Sequence, residues 1–324
     1  MDYFPEEILT HIFSFSEGYN FVNRQVCSDF RRIIPKVESV CYLDALCKDG
    51  KIPEGVKSSA KIVNKAIDFG CVNVLEWSNQ EHIPENICTL AAKKGKLEVL
   101  KWARSKNYPW DEYTCSKAAK GGYLEVLQWL RTNGCPWNSY TCVSASSKGH
   151  LGVLQWAISS GCPMHSYACA YASKGGYLEV LQWLKNNGYS LNKDVYYLAA
   201  KKNRVEVFQW LKDNGYSFNE TTCVHAAGKG HLEVLQWLKD NGCPFDKRTC
   251  AYAAEGGHLE VLKWARANGC PWNEDTCFLA AQGGHLEVLK WARANGCPWD
   301  NRVFYVARNH PKILKWVKAN GCPR

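Results

Sequence analysis

A tryptophan returns every 27 residues through most of this chain. It stands at Trp102, Trp129, Trp156, Trp183, Trp210, Trp237, Trp264 and Trp291, with outer copies 25 residues away at Trp77 and Trp316. The stretch GGHLEVLKWARANGCPW occurs twice without change, at 256–272 and 283–299. Ten copies thus run from about residue 58 to the end. A period of this length means one supersecondary unit per copy, too small to bury its own apolar face, so that stacked neighbours make the core.

Each copy reads as two short helices. The first runs through segments such as EYTCSKAAK (112–120) and EDTCFLAAQ (274–282). A Thr, Asp or Asn opens it as an N-cap would, and Cys and paired Ala at i, i+3 and i+4 make one small-residue face. The second helix is YLEVLQWL or HLEVLKWA. Its Leu, Val, Leu, Trp and Ala or Leu cover a wide apolar arc, and Asn-Gly stops it with a left-handed C-cap. The expected fold is an all-α helical-repeat solenoid of about ten helix pairs with a small helical N-terminal segment.

No window approaches 18 uninterrupted apolar residues, so no membrane span is expected. The start, MDYFPEEILTH, lacks a basic stretch before an apolar run and does not read as a secretory signal. An intracellular, reducing location follows, and with it 17 cysteines held as thiols. Net charge is +9, and residues 1–60 hold 7 Lys/Arg against 9 Asp/Glu. The basic excess therefore belongs to the repeats and permits, without demanding, an acidic partner.

The unit T-C-x-x-A-A-x-x-G-H-L-E-V-L-x-W-L-x-x-N-G resembles the ankyrin repeat, with its T-P-L-H-x-A-A start and Leu-rich second helix. The resemblance covers about 80% of the chain. It departs in the Thr-Cys start and in a period of 27 rather than about 33. The missing residues are those that form the ankyrin β-hairpin finger, so fingers are expected to be short or absent. This short, Trp-rich form is similar to ankyrin arrays abundant in giant DNA viruses of amoebae and in some protists. The resemblance implies a protein-binding scaffold with its recognition surface on the first helices.

Residues 4–15, FPEEILTHIFSF, and 22–34, VNRQVCSDFRRII, read as two amphipathic helices, the first opening just after a proline. Together they resemble an F-box, which implies docking on the Skp adaptor of cullin–RING ubiquitin ligases. The docking set would be Pro5, Ile8, Leu9, Ile12 and Val26. Phe4 stands where the pattern has Leu, and the middle is a few residues short. The competing reading makes this segment a cap for the array. The expected organisation is 1–34 F-box-like, 35–57 a linker or degenerate half-repeat, and 58–324 the repeat array.

The residues with reactive side chains follow the repeat phase. One cysteine series is Cys88, Cys115, Cys142, Cys169, Cys223, Cys250 and Cys277; the other is Cys135, Cys162, Cys243, Cys270, Cys297 and Cys322. Neither contains a C-x-x-C pair, and members of one series lie a repeat apart, beyond the roughly 7 Å reach of a disulfide. They read as small buried hydrophobes. His150, His231, His258, His285 and His310 share a column with Tyr123, Tyr177 and Lys96, so they read as local hydrogen-bonders. The ten Trp read as core. Lys93, Lys94, Lys120, Lys148, Lys174, Lys201, Lys202 and Lys229 end first helices, where cations complement the helix dipole. They would also line a basic edge.

No phosphate loop, catalytic triad or metal motif stands out, so no enzyme, cofactor or metal is expected. What varies between copies is the first-helix surface: Lys117, Ser144, Tyr171, Tyr197, His225, Tyr252 and Leu279. The leading expectation is a monomeric, non-catalytic adaptor. Its array binds a target protein, and its N-terminus recruits the Skp adaptor. A plain interaction scaffold remains open. Binding of nucleic acid along the Lys edge ranks below both, because that edge lacks interleaved exposed aromatics and Arg.

Overall fold

Each copy folds into two short antiparallel helices, joined in eight of the ten by a turn that contains glycine. The computed structural model describes residues 39–52 and 56–324. The F-box-like segment, with Pro5, Ile8, Leu9, Ile12 and Val26, lies outside them. Among the described residues there are 21 α-helices, one 3-10 turn and no β-strand. Two compact units divide the chain: the first runs to Ala145 and adds His150–His165, and the second takes Ser146–Gly149 and Ser166–Arg324.

In the first unit, α1 (Ser39–Lys48) precedes the pairs α2 (Ala60–Phe69) with α3 (Val72–Trp77), α4 (Ile87–Lys94) with α5 (Leu97–Ser105), α6 (Glu112–Gly121) with α7 (Leu124–Thr132), and α8 (Ser139–Ser146) with α9 (Leu151–Ser159). Helix α1 packs on α2 and α3. Its Asp44 carboxylate accepts from the Val74 N–H and the Asn73 amide, both at 2.9 Å, and so caps the start of α3. Asp111 opens α6 with a capping box: its side chain accepts from Thr114 N–H while the Thr114 hydroxyl accepts from Asp111 N–H. Leu100, Leu127 and Leu154 are fully buried at the centre of the second helices.

In the second unit the pairs are α10 (Tyr167–Gly175) with α11 (Leu178–Asn186), α12 (Lys193–Ala200) with α13 (Val205–Asp213), α14 (Glu220–Ala227) with α15 (Leu232–Asp240), α16 (Lys247–Glu255) with α17 (Leu259–Ala267), α18 (Glu274–Gln282) with α19 (Leu286–Ala294), and α20 (Asn301–Ala307) with α21 (Pro311–Ala319). First helices pack on first helices, as α16 does on α18, because Ala and Cys let them approach closely. The Asn-Gly stop takes the expected form at Gly242, with φ at +78° and the following Cys243 N–H bonded back to Leu238 C=O. The chain then needs only residues 243–246 to reach the next first helix, which leaves no room for a hairpin finger.

Two expectations about columns are corrected. The ten periodic Trp are half-buried rather than core. Val, Leu and Ala or Leu fill the interior, and the Trp lie at its edge, six of the ten against an aromatic of the preceding turn, as Trp129 on Trp110 at 5.9 Å and Trp291 on Trp272 at 6.0 Å. An Arg closes the stack from outside, Arg104 at 4.0 Å from the Trp110 ring centre and Arg266 at 4.1 Å from that of Trp272. The histidines, in turn, bond between repeats rather than locally. His231 Nε2 reaches Lys201 C=O at 2.9 Å, and His150 Nε2 reaches Lys120 C=O at 3.2 Å. The bond satisfies a carbonyl that the end of a first helix would leave open.

Candidate interaction surface

The variable first-helix positions stand at or near the surface, but one of them is out of phase. Lys117 and Ser144 are half-buried in the first unit. In the second unit Tyr171 and Tyr252 are exposed, and His225 and Leu279 half-buried. The residue 27 before His225 is Leu198, not Tyr197. Tyr197 belongs to the adjacent column, where its counterparts Ala170, Val224 and Ala251 are buried. A tyrosine is too large for that slot, and its half-buried ring sits edge-on to His225 at 4.5 Å between ring centres.

Around these two rings a cleft of ≈ 650 Å³ opens between α12, α14 and the connection joining their pairs. Lys193, Asp194, Tyr196, Tyr197, Ser217, Asn219, Thr221, Thr222 and His225 line it. Volume and lining suit a side chain or short segment of a partner: aromatic walls with a few polar groups. Burial, and then the charge of Arg248, hold the His225 imidazole below its ordinary value. Burial also raises the Tyr196 phenol, with Tyr216 adding to it. Both groups are therefore neutral near pH 7 and offer hydrogen bonds rather than charge.

Sequence reading missed Lys193, Asp194, Ser217, Asn219 and Thr221. A signal was there: the copy spanning 189–219 departs most from the pattern. Tyr stands for Cys at 189, 196 and 216, and Ser-Phe-Asn at 217–219 replaces Pro-Trp-Asn. In the first unit a smaller hollow of ≈ 240 Å³ lies over Trp102 and Tyr108. Its carboxylate, Glu76, is already held by Lys106 Nζ at 2.7 Å and Trp102 Nε1 at 2.6 Å.

Several lysines of the expected basic edge have intrachain partners. Lys94 pairs with Asp68 at 3.0 Å. Lys174 and Lys201 lie over the rings of Tyr171 and Tyr197, at 5.3 and 5.5 Å. Among the described residues no group of three or more His, Cys, Asp or Glu gathers as a metal site would, and no helix is long and apolar enough to cross a membrane.

Both repeat-phased cysteine series are free and buried, as expected, and the two series meet one another. The first-helix Cys and the Cys 20 residues later, after the second helix, adjoin inside one repeat. The Cys223 and Cys243 sulfurs are 2.7 Å apart.

Residues 169–249 and 196–274 match the family model for ankyrin repeats (3 copies). The crystal structure of the human ASB11 ankyrin repeat domain is similar at 20% identity and a TM-score of 0.41, covering 49% of this chain and 84% of that one. No curated protein matches the chain. The fold is all-α and of the ankyrin-repeat type, an architecture that serves as a protein–protein interaction scaffold.

Proposed function

We propose that the chain is a non-catalytic adaptor. The array holds a target protein on the first-helix surface, and residues 1–34 recruit a Skp–cullin ubiquitin ligase. One observation carries the target-binding half: the cleft between α12 and α14 brings Tyr196, Tyr197 and His225 together where the repeat departs from its own pattern. An aromatic pocket among otherwise interchangeable copies is where a partner's anchoring residue gains most. The exposed Tyr171 and Tyr252 extend the same surface.

The ligase half rests on the F-box-like pattern, with Pro5, Ile8, Leu9, Ile12 and Val26 as docking residues. Helix α1 covers α2 and α3, and Asp44 caps α3, so that pair has a cover that does not depend on residues 1–34. The similarity to giant-virus arrays suggests an intracellular setting in which the ligase is the host's. Nucleic-acid binding is disfavoured by the lysines engaged with Asp68, Tyr171 and Tyr197.

A pull-down with the Skp adaptor tests the ligase half. The full chain should recover the adaptor; a chain lacking residues 1–34, and the Ile8→Ala, Leu9→Ala double variant, should not. Equal recovery by all three would leave the plain scaffold. Unchanged melting of the shortened chain would set aside the cap.

A further inference from the structure

We propose that the paired cysteines of single repeats are redox modification sites, at which a hydroperoxide converts two buried thiols into one intrarepeat disulfide. Five repeats carry such a pair: Cys115 with Cys135, Cys142 with Cys162, Cys223 with Cys243, Cys250 with Cys270 and Cys277 with Cys297. In each, one sulfur comes from the buried face of the first helix and the other from the turn that ends the second.

Geometry carries the inference. The Cys223 and Cys243 sulfurs, free thiols at 2.7 Å, lie inside van der Waals contact and within about 1 Å of the S–S bond length. A linear S–metal–S bridge would need them farther apart, so a direct bond fits better than a metal. In two further pairs the first-helix thiol donates to the carbonyl of its facing cysteine, Cys250 to Cys270 C=O and Cys277 to Cys297 C=O, each at 3.9 Å. The facing thiols of Cys142, Cys250 and Cys277 hold Cys162, Cys270 and Cys297 below the ordinary thiol value by stabilising the thiolate. One further feature bears on these pairs. The hydroxyls of Thr141 and Thr276 are buried without a hydrogen-bond partner, each one residue before the first-helix Cys of a pair. An orphaned hydroxyl there has a use once a thiolate forms to accept from it.

The chemistry closes without another reagent. A thiolate attacks the O–O bond of hydrogen peroxide, giving a sulfenic acid, and the departing hydroxide takes up a proton as water. The neighbouring thiol attacks the sulfenic sulfur, the S–S bond forms, and a second water leaves. Two thiols lose two electrons in all, and one peroxide is reduced to two waters. Cys162 and Cys243 keep 6% and 4% exposure, whereas Cys135, Cys270 and Cys297 keep none, so peroxide reaches those three when the turn opens locally.

The test uses the reduced, folded full chain, treated with hydrogen peroxide, alkylated and digested with trypsin without reduction. Cys223 and Cys243 fall on separate tryptic peptides, 213–229 and 240–247. The expected product joins these two, lighter by two hydrogens, and dithiothreitol reverses it. Cys243→Tyr should remove that link and leave the other four; Cys169 already faces Tyr189 in this arrangement, so the fold should hold. Alkylation of all five pairs despite peroxide, separate overoxidation of each sulfur, or links only between cysteines of different repeats would each overturn the proposal.

Discussion

Tyr197 and His225 meet edge to face, 4.5 Å between ring centres, on successive first helices. Their columns differ by one residue, so the contact exists only because a large ring occupies a slot that holds Ala170, Val224 and Ala251 in neighbouring repeats. The pair thereby walls a cleft that the repeat pattern alone would not build.

Tyr197→Ala should therefore separate binding from stability. The ring is half-buried, so the folded chain should lose only about 1 kcal/mol, read as a small fall in the urea midpoint. A target seated in the cleft should lose at least about tenfold in affinity, as anchor truncations do. Titration calorimetry with a target found by proximity labelling measures the second effect. A stability loss above roughly 3 kcal/mol with unchanged affinity would make the ring core packing instead.

Two glycines with nearly the same backbone should respond differently to alanine. Gly242 and Gly257 have φ of +78° and +75°. A Cβ on Gly242 meets nothing within 4 Å, whereas one on Gly257 would lie 2.5 Å from the His285 ring. Gly242→Ala should cost about 1 kcal/mol, the left-handed penalty alone. Gly257→Ala should cost roughly twice that or more, since overpacking adds to it. Adding His285→Ala to Gly257→Ala should recover part of the excess in denaturant melts.

The aromatic edge should matter more than its exposure suggests. Trp272 packs on Trp291 at 6.0 Å and lies under Arg266, which also donates to the Cys270 carbonyl. Trp272→Ala should cost about 2–3 kcal/mol, through lost area and the aromatic pair. Arg266→Lys should cost under about 1 kcal/mol, because an ammonium keeps the charge but not the planar fork. Urea midpoints of the two variants give the ratio.

Periodicity made the helix pairs legible because spacing and caps are local: the ten Trp, the small-residue face and the Asn-Gly stops each repeat in sequence. What was hidden depends on the path the chain takes. Cys223 and Cys243 are 20 residues apart, and only the return of the second helix brings them together. Side-chain area alone points to core for the Trp columns, whereas Val and Leu already fill the interior and leave the Trp half-buried at its edge. The cleft was visible only as the disturbance at 189–219, since a departure from pattern marks a place without giving its shape.

The second unit should lose stability in mild acid, and His258 shows why. Burial holds its imidazole below the ordinary 6.5; the charges of His285, His231 and Lys229 push it the same way, against a hydrogen bond to the Gly228 carbonyl. The unfolded chain therefore takes up a proton before the folded one does as the pH falls. Stability from this group is complete above 6.5 and is lost as the pH drops from there through the folded value. His258→Asn cannot gain that charge, so its melting temperature should fall less than the parent's between about pH 7 and about pH 5. Equal pH dependence in parent and variant would mean that other groups carry the acid response.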